Sequence, residues 1–480
     1  MVLANHNPQE VFKHFEAISQ IPRGSGNEKA VSDYIAKFAT DLGHETIQDN
    51  LNNLVIFKPG TPGHGDKPPI ILQAHLDMVC EKNTDTVHNF LTDPLKLYVD
   101  GDFIKAQGTT LGADNGLGVA FCMALLESTG IDHPPLEIIL TTEEETGMAG
   151  AINLDATVLK AKRMINLDNG REKEFILGCA SGSVMEYLLP GDWDTVTPNN
   201  IACEITVKGL TGGHSGGDIH RERGNALRIM GNILAELGAQ VGIRIANISG
   251  GMMVNAIPRE AVAAIALPKN EADKALGILE KCRVNLADEY RATDGGLAVS
   301  WAQDSVGKAL TANCSGKLIS SLTLLPFGVQ QMSMEMEGLV NASCNIGVIE
   351  TMHEGVKISL MARAASRSHT ERMETQIANL AKLTGAKLKV LRRTPPWPYN
   401  PNSQLLKVAA ECYKPVFKRD AELKAIHGGL ECGVFLEKIP GLDIIAIGPM
   451  TIDLHTPQER LSIASTEKMW DFLQLLLKNL

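Results

Sequence analysis

The 480-residue sequence has nine cysteines but no CxxC pair, since they are scattered singly from Cys80 to Cys432. That excludes a zinc ribbon and a thioredoxin-like redox motif, and an odd, dispersed set of thiols fits a reducing cytosol. No apolar run approaches the roughly 20 residues of a membrane span. The opening stretch, "MVLANHNPQEVFKHFEAISQIPRGSGNEKAV", also lacks the apolar core of a signal peptide, so a cytoplasmic protein with no membrane partner is expected. Basic charge is in short supply as well: 45 Lys and Arg stand against 56 Asp and Glu, a net charge of -11. A nucleic-acid binder needs a concentrated basic face, so none is expected here, and the negative charge reads as ordinary solubility.

What is present is enough chain for more than one hydrophobic core, which predicts two or three domains. "PQEVFKHFEAISQIPR" and "NEKAVSDYIAKFATDLG" carry apolar residues at helical spacing, the second stopping at Gly43. Short β-rich runs follow: "NLVIFKPG", "PPIILQAHLD", "LEIILTTEEE" and "RMINLDN", with a helix-like "NGLGVAFCMALLEST" between the second and third. Strands alternating with helices predict an α/β layered domain with a mixed sheet flanked by helices. From about Leu188 the runs alternate like antiparallel strands with one solvated face, as in "NIACEITVKGL", "AVAAIALP" and "VKISLMARA", between helical stretches. The breaker-rich "RRTPPWPYNPNSQ" then marks a return to the first domain, where "DIIAIGPM" again reads as a buried strand. The expected organisation is a catalytic domain in two parts, 1–187 and 392–480, interrupted by an α+β lid and dimerisation domain over 188–391.

Polar residues fall repeatedly at the carboxyl ends of the first domain's apolar strands. His75 and Asp77 follow "PPIILQA", three glutamates follow "LEIILTT", and Asp168 follows "RMINL". Those ends form the ligand crevice in open α/β sheets. Asp114, in the glycine-flanked "GTTLGADNGLGVA", sits in the turn before a helix. Taken alone, Asp114 and Asp168 would be ordinary N-caps and His75 a satisfied core histidine. Several carboxylates converging in one crevice without a cation, however, would incur severe repulsion and desolvation. Carboxylate and imidazole donors without paired thiolates suit zinc, manganese or cobalt better than calcium. Two metals sharing a carboxylate would stand roughly 3.5 to 4 Å apart, the spacing that clamps a hydrolytic water.

The motifs "HLDMV", "LGADNG", "TTEEETGMAG", "NLDNG" and "DLHTPQER" occur in order across almost the full chain. Together they resemble the di-zinc peptidase family that includes glutamate carboxypeptidase, acetylornithine deacetylase and the carnosinases. "GLTGGHSGGDIH", "GGMMVNAIPRE" and "HGGLECG" resemble its bacterial aminoacylhistidine dipeptidase branch. The resemblance implies two divalent ions, zinc first, with cobalt or manganese as alternatives. Asp114 would bridge them, with His75 and Asp168 completing one site, Glu145 and His455 the other. Asp77 would lie behind His75 and accept its other N–H. Glu144 would be the general base, and the peptide after Asp114 would be cis. If strand geometry persists, Glu144 points away from Glu145, so a turn at Thr146 and Gly147 must re-aim it. Glu143 is expected to be an outward or structural carboxylate.

His214 reads equally as a turn histidine, but the resemblance implies oxyanion stabilisation, from within the chain or across a dimer interface. Asn255 and Arg363 match positions that bind the substrate carbonyl and carboxylate, with Arg367 competing for the latter role. Gly428 and Gly429, just before a helix, would bring backbone N–H groups to a terminal carboxylate. Glu431 has no role derivable from sequence, and His14, His44 and His64 read as surface or packing residues. The implied function is hydrolysis of dipeptides, broad in specificity and including Xaa-His dipeptides such as carnosine, by a homodimer. An N-acyl amino acid deacylase would need the same metals but no pocket for a free amine. A non-catalytic metal-binding homologue would have no need of Glu144, and a two-metal phosphoesterase would want an Arg/Lys cluster that no ligand motif adjoins.

Overall fold

The computed structural model describes residues 2–480, which form two compact units. The first comprises 1–178, 399–425 and 430–480; the second comprises 179–398 and 426–429. The sequence boundaries at 187 and 391 fall inside the strands Ser181–Pro190 and Lys387–Thr394, which pair with each other in the second unit's sheet. Among the described residues no helix is long and apolar enough to cross a membrane. All nine cysteines are free thiols.

The first unit is the expected α/β layer. Its sheet runs in the order Glu45–Gln48, Leu54–Lys58, Leu136–Thr141, Ile70–His75, Arg163–Asn166, Asp443–Ala446, Glu174–Cys179, Glu422–Ile426. The middle four strands are mutually parallel, while Leu54–Lys58 pairs antiparallel with both of its neighbours and Glu174–Cys179 antiparallel with Asp443–Ala446. Ile70–His75 and Leu136–Thr141 are buried along their whole length, as expected of a sheet covered on both faces. Parallel register sets His75 beside Thr141 and Gln73 beside Asn166, so three chains leave the sheet at one edge. The covering layers supply Phe12, Phe15, Phe121 and Trp470, all essentially inaccessible, with the last two rings stacked 5.5 Å apart. Burying each such side chain contributes roughly 1.5–3 kcal/mol, which makes the strand ends a rigid platform.

The second unit is an antiparallel sheet that follows the path Ala298–Asp304, Asn200–Lys208, Ala261–Pro268, Arg244–Gly250, Val340–Met352, Gly355–Ala364, Ser181–Pro190, Lys387–Thr394. The helices Ala226–Gly238 and Arg367–Thr384 close its core with Leu227, Ile233, Met373 and Ile377. Asn225 caps the first of these helices. Its Oδ1 accepts the Leu227 and Arg228 N–H groups at 3.0 and 3.1 Å, and its Nδ2 donates to the Ile346 carbonyl at 2.9 Å. Asn225→Ala removes cap and tether together and is expected to cost about 1–3 kcal/mol in urea unfolding. An unchanged midpoint would contradict that role.

Candidate metal centre

The strand edge of the first unit gathers the acids and histidines. His75, the last residue of its strand, is buried and directs Nε2 at Asp114 Oδ1, 3.0 Å away, with Asp168 Oδ1 at 3.9 Å. Its Nδ1 lies 3.1 Å from the Asp77 backbone carbonyl and 3.3 Å from Asp77 Oδ1. Asp77 is thus behind the ring, reaching it with both its main chain and its side chain. The peptide between Asp114 and Asn115 is cis. From the far side His455 Nε2 meets Glu145 Oε1 at 3.0 Å and Asp114 Oδ2 at 3.3 Å.

The glutamate run turns earlier than expected. The strand stops at Thr141, Glu143 takes a left-handed φ of 54°, and Glu144–Gly147 forms one helical turn. Strand alternation therefore never reaches Glu144 and Glu145, and no re-aiming at Thr146 and Gly147 is involved. Neighbours on a helical turn diverge by only about 100°, so both side chains can face the crevice. The turn is held by Asp77, whose two carboxylate oxygens accept the Glu144 and Glu145 N–H groups at 3.0 and 3.2 Å. Glu143 is half-buried and its N–H is bound by Glu28 Oε1 at 3.0 Å.

Ligand atoms within 4.8 Å of one another form three groups: His75, Asp114 and Asp168; Asp114, Glu145 and His455; and His75, Glu144 and Glu145. The first two share Asp114, and their donor chemistry, carboxylate oxygen with imidazole nitrogen, fits a pair of divalent cations. Electrostatics point the same way. Burial pushes Asp168 up to about 7, aided by repulsion from Asp114, while His75 opposes the shift. Burial likewise drives Glu144 well above the usual carboxylate range. Hydrogen bonds to Asp114 and Glu145 lift His455 to about 11. Asp114 itself is held low because hydrogen bonds from His455 and His75 outweigh its burial. Protons on the two histidines thus stand where positive charge is required.

Two buried groups unforeseen from sequence fix the Asp114 loop. Glu459 accepts the N–H groups of Leu111, Gly112 and Ala113 at 2.8–2.9 Å and that of Asp114 at 3.3 Å. It stands four residues after His455, whose loop carries left-handed φ values at both Asp453 and His455. Each such residue costs about 1–2 kcal/mol, and Arg460 Nη1 contacts Asp453 Oδ2 within the same loop at 2.5 Å. Arg23 donates to the carbonyls of Leu76, Asp77 and Gly112 at 3.0, 3.3 and 2.5 Å. The sequence signal for Glu459 was its place in "DLHTPQER"; Arg23 offered none. His14 and His44 are engaged elsewhere, with Glu127 and the Leu126 carbonyl respectively.

The remaining predicted residues lie in the second unit. His214 Nδ1 accepts the Gly216 and Gly217 N–H groups at 3.3 and 3.0 Å, which puts the ring proton of the neutral imidazole on Nε2. A side chain on Gly216 would strike the His427 carbonyl, His214 Cε1 and Arg363 Nε, so these groups converge on that loop. The Asn255 carbonyl accepts the Ser215 N–H at 2.8 Å, and the Gly428 carbonyl accepts the Ala180 N–H at 2.9 Å. Arg363 is buried on its strand, whereas Arg367 is exposed at the start of a helix. Burial lowers Arg363 to about 10, with Arg392 adding repulsion.

Two carboxylate–imidazole clusters that share Asp114 at the strand ends of an α/β sheet suit a pair of hydrolytic divalent ions. A family model described as Peptidase family M20/M25/M40 matches residues 71–479, and the chain belongs to that family. It is 37% identical over 481 residues to the cytosol non-specific dipeptidase of Escherichia coli (strain K12), covering 100% of this chain and 99% of that one. The aminoacylhistidine dipeptidase from Vibrio alginolyticus matches with a TM-score of 0.89 at 35% identity, over 99% of this chain and 97% of that one. Human carnosine dipeptidase 1, at 13% identity and a TM-score of 0.52 over 98% of this chain and 95% of that one, is similar in fold.

Asp168 at about 7 and His455 at about 11 both exceed their ordinary values of 3.8 and 6.5, so the folded metal-free chain holds protons that the unfolded chain has released. The Asp168 contribution to stability is complete below about 3.8 and gone above about 7; that of His455 is complete below about 6.5 and declines toward about 11. In chelator the melting temperature should therefore fall as pH rises from 6 to 9, and zinc should flatten the slope. Parallel curves with and without zinc would contradict a cation site here.

Proposed function

We propose that the protein hydrolyses dipeptides with broad specificity, Xaa-His dipeptides such as carnosine among them, as a cytoplasmic metallopeptidase. The observation that carries this reading is the sharing of Asp114 by two donor clusters on a chain that matches a dipeptidase over its whole length. His75, Asp114 and Asp168 would hold one divalent ion and Asp114, Glu145 and His455 the other, zinc first, with cobalt or manganese as alternatives. When bound, such a pair lowers the pKa of a water and polarises the scissile carbonyl.

Glu144 takes the proton of the attacking water and returns it to the departing amine. A half-buried carboxyl whose pKa desolvation raises suits both halves of that transfer. Asp77 keeps His75 in the tautomer that offers Nε2 and anchors the turn carrying Glu144. His214 donates from Nε2 to the developing oxyanion. Asn255 orients the carbonyl, while Arg363, Gly428 and Gly429 receive the terminal carboxylate. Arg363 is preferred to Arg367 because a desolvated guanidinium binds a carboxylate more strongly than an exposed one. A homodimer completes the reading. The edge strand Ala298–Asp304 pairs on one side only among the described residues, as an interface strand would, and sedimentation measures the state.

The test is a panel of dipeptides and their N-acetylated forms, assayed on protein of measured metal content. Free dipeptides should be cleaved and acetylated ones spared; the reverse preference would indicate a deacylase, and inertness toward both a binding protein. Glu144→Ala should keep its metals yet lose about 10² to 10⁴ in turnover. Full activity in that variant would remove Glu144 from the chemistry. Arg363→Ala should raise KM for dipeptides by 10-fold or more, about 1.4 kcal/mol, and Arg367→Ala should leave it unchanged. The opposite pattern would exchange the two arginines.

A further inference from the structure

Glu431 follows the two glycines of "HGGLECG" and opens the helix Glu431–Lys438, and nothing in the proposed chemistry uses it. It is nonetheless 1% exposed. A buried carboxylate is costly to keep, and burial pushes this one up to about 8. Oε2 accepts a hydrogen bond from Gln73 Nε2 at 2.6 Å and another from Thr141 Oγ1 at 2.7 Å. Gln73 Oε1 in turn accepts from Asn166 Nδ2 at 2.5 Å. Asn166 Oδ1 accepts the backbone N–H of Asp168 at 3.2 Å.

The positions of these residues matter. Gln73 precedes His75 by two on one strand, so their side chains share a face, while Asn166 ends its own strand two residues before Asp168 and holds that residue's N–H directly. Thr141 is the last residue of the strand that delivers Glu144 and Glu145. The three strands are parallel neighbours, with Gln73 in register with Asn166 and His75 with Thr141. One hydrogen-bonded layer therefore runs across all three strands just before they release their ligands, and a single acidic side chain from a distant helix closes it. All four side chains are buried, so each bond is exchanged against desolvation rather than water, and the geometry is correspondingly strict.

We propose that Glu431 is a positioning residue for the metal centre: through Gln73, Thr141 and Asn166 it locks the strand ends that carry His75, Asp168 and the glutamate pair. The inference rests on the reading of those residues as ligands. It is separate from the role of Asp77, which touches His75 directly, because Glu431 acts one layer deeper and through amide side chains.

The test compares cobalt binding by wild type, Glu431→Gln and Glu431→Leu, read as affinity and as the visible absorption of the bound ion, with turnover measured alongside. Glutamine keeps one acceptor oxygen able to serve both donors and should bind cobalt nearly as wild type does. Leucine strands Gln73 and Thr141 without an acceptor. It should bind cobalt about 10- to 100-fold more weakly, with an altered spectrum and a fall in kcat exceeding any change in KM. Should the leucine variant fail to fold, Gln73→Met cuts the same layer from the opposite side and must show the same loosening. A leucine or methionine variant with wild-type cobalt affinity and spectrum would overturn the inference alone. Wild-type protein that takes up no cobalt would overturn the inference and the metal centre together.

Discussion

Everything at the strand edge follows from mutual repulsion among acids that the fold will not let separate. Glu144, Glu145 and Asp168 follow buried parallel strands into one crevice, and Asp114 meets them there from the first turn of the helix Ala113–Glu127. In the structure Asp114 is flanked by His75 on one oxygen and His455 on the other. Two imidazolium protons can hold such a group together, but only while the histidines remain charged. Divalent cations do so without that restriction, and they leave the same nitrogens as ligands. The carboxylate cluster is therefore better compensated by divalent cations than by protons alone.

Supporting interactions reach the ligands mostly through backbone. Glu459 gathers the amides of the Asp114 loop, Arg23 gathers carbonyls from the His75 and Asp114 loops, and Asp77 gathers the amides of the Glu144 turn. Carboxylates that accept several N–H groups also lower the cost of their own burial. Loops with unusual backbone angles at Glu143, Asp453 and His455 can thus be held still without a large apolar anchor. Rigid placement of this kind is what the proton transfer proposed for Glu144 requires.

Much of this was legible in the sequence because the signals are local. Apolar runs ending in His, Asp or Glu mark strand termini directly, and five motifs in order tie them to a family. What could not be read depends on contacts remote along the chain or on backbone conformation. The left-handed residue at Glu143 has no compositional signal, since glycine or asparagine would be expected there, and so the bend that turns Glu144 falls earlier than the sequence places it. Glu431 meets Gln73 and Thr141 across separations of 358 and 290 residues, and a lone buried glutamate is invisible to periodicity. Arg23 looks like an ordinary loop residue until the carbonyls it binds are known. The internal limits of the second unit were blurred for a related reason. Ser181–Pro190 alternates like its partners, but its polar positions Ser181 and Ser183 are buried, satisfied by Thr370 and Glu374.

The central claim is that two divalent ions share Asp114. Anomalous diffraction at the zinc edge, on crystals of the full chain grown with zinc, tests it most directly. Two peaks are predicted, both in contact with Asp114, one also touching His75 and Asp168 and the other Glu145 and His455. A single peak, or peaks that leave Asp114 untouched, would contradict the account.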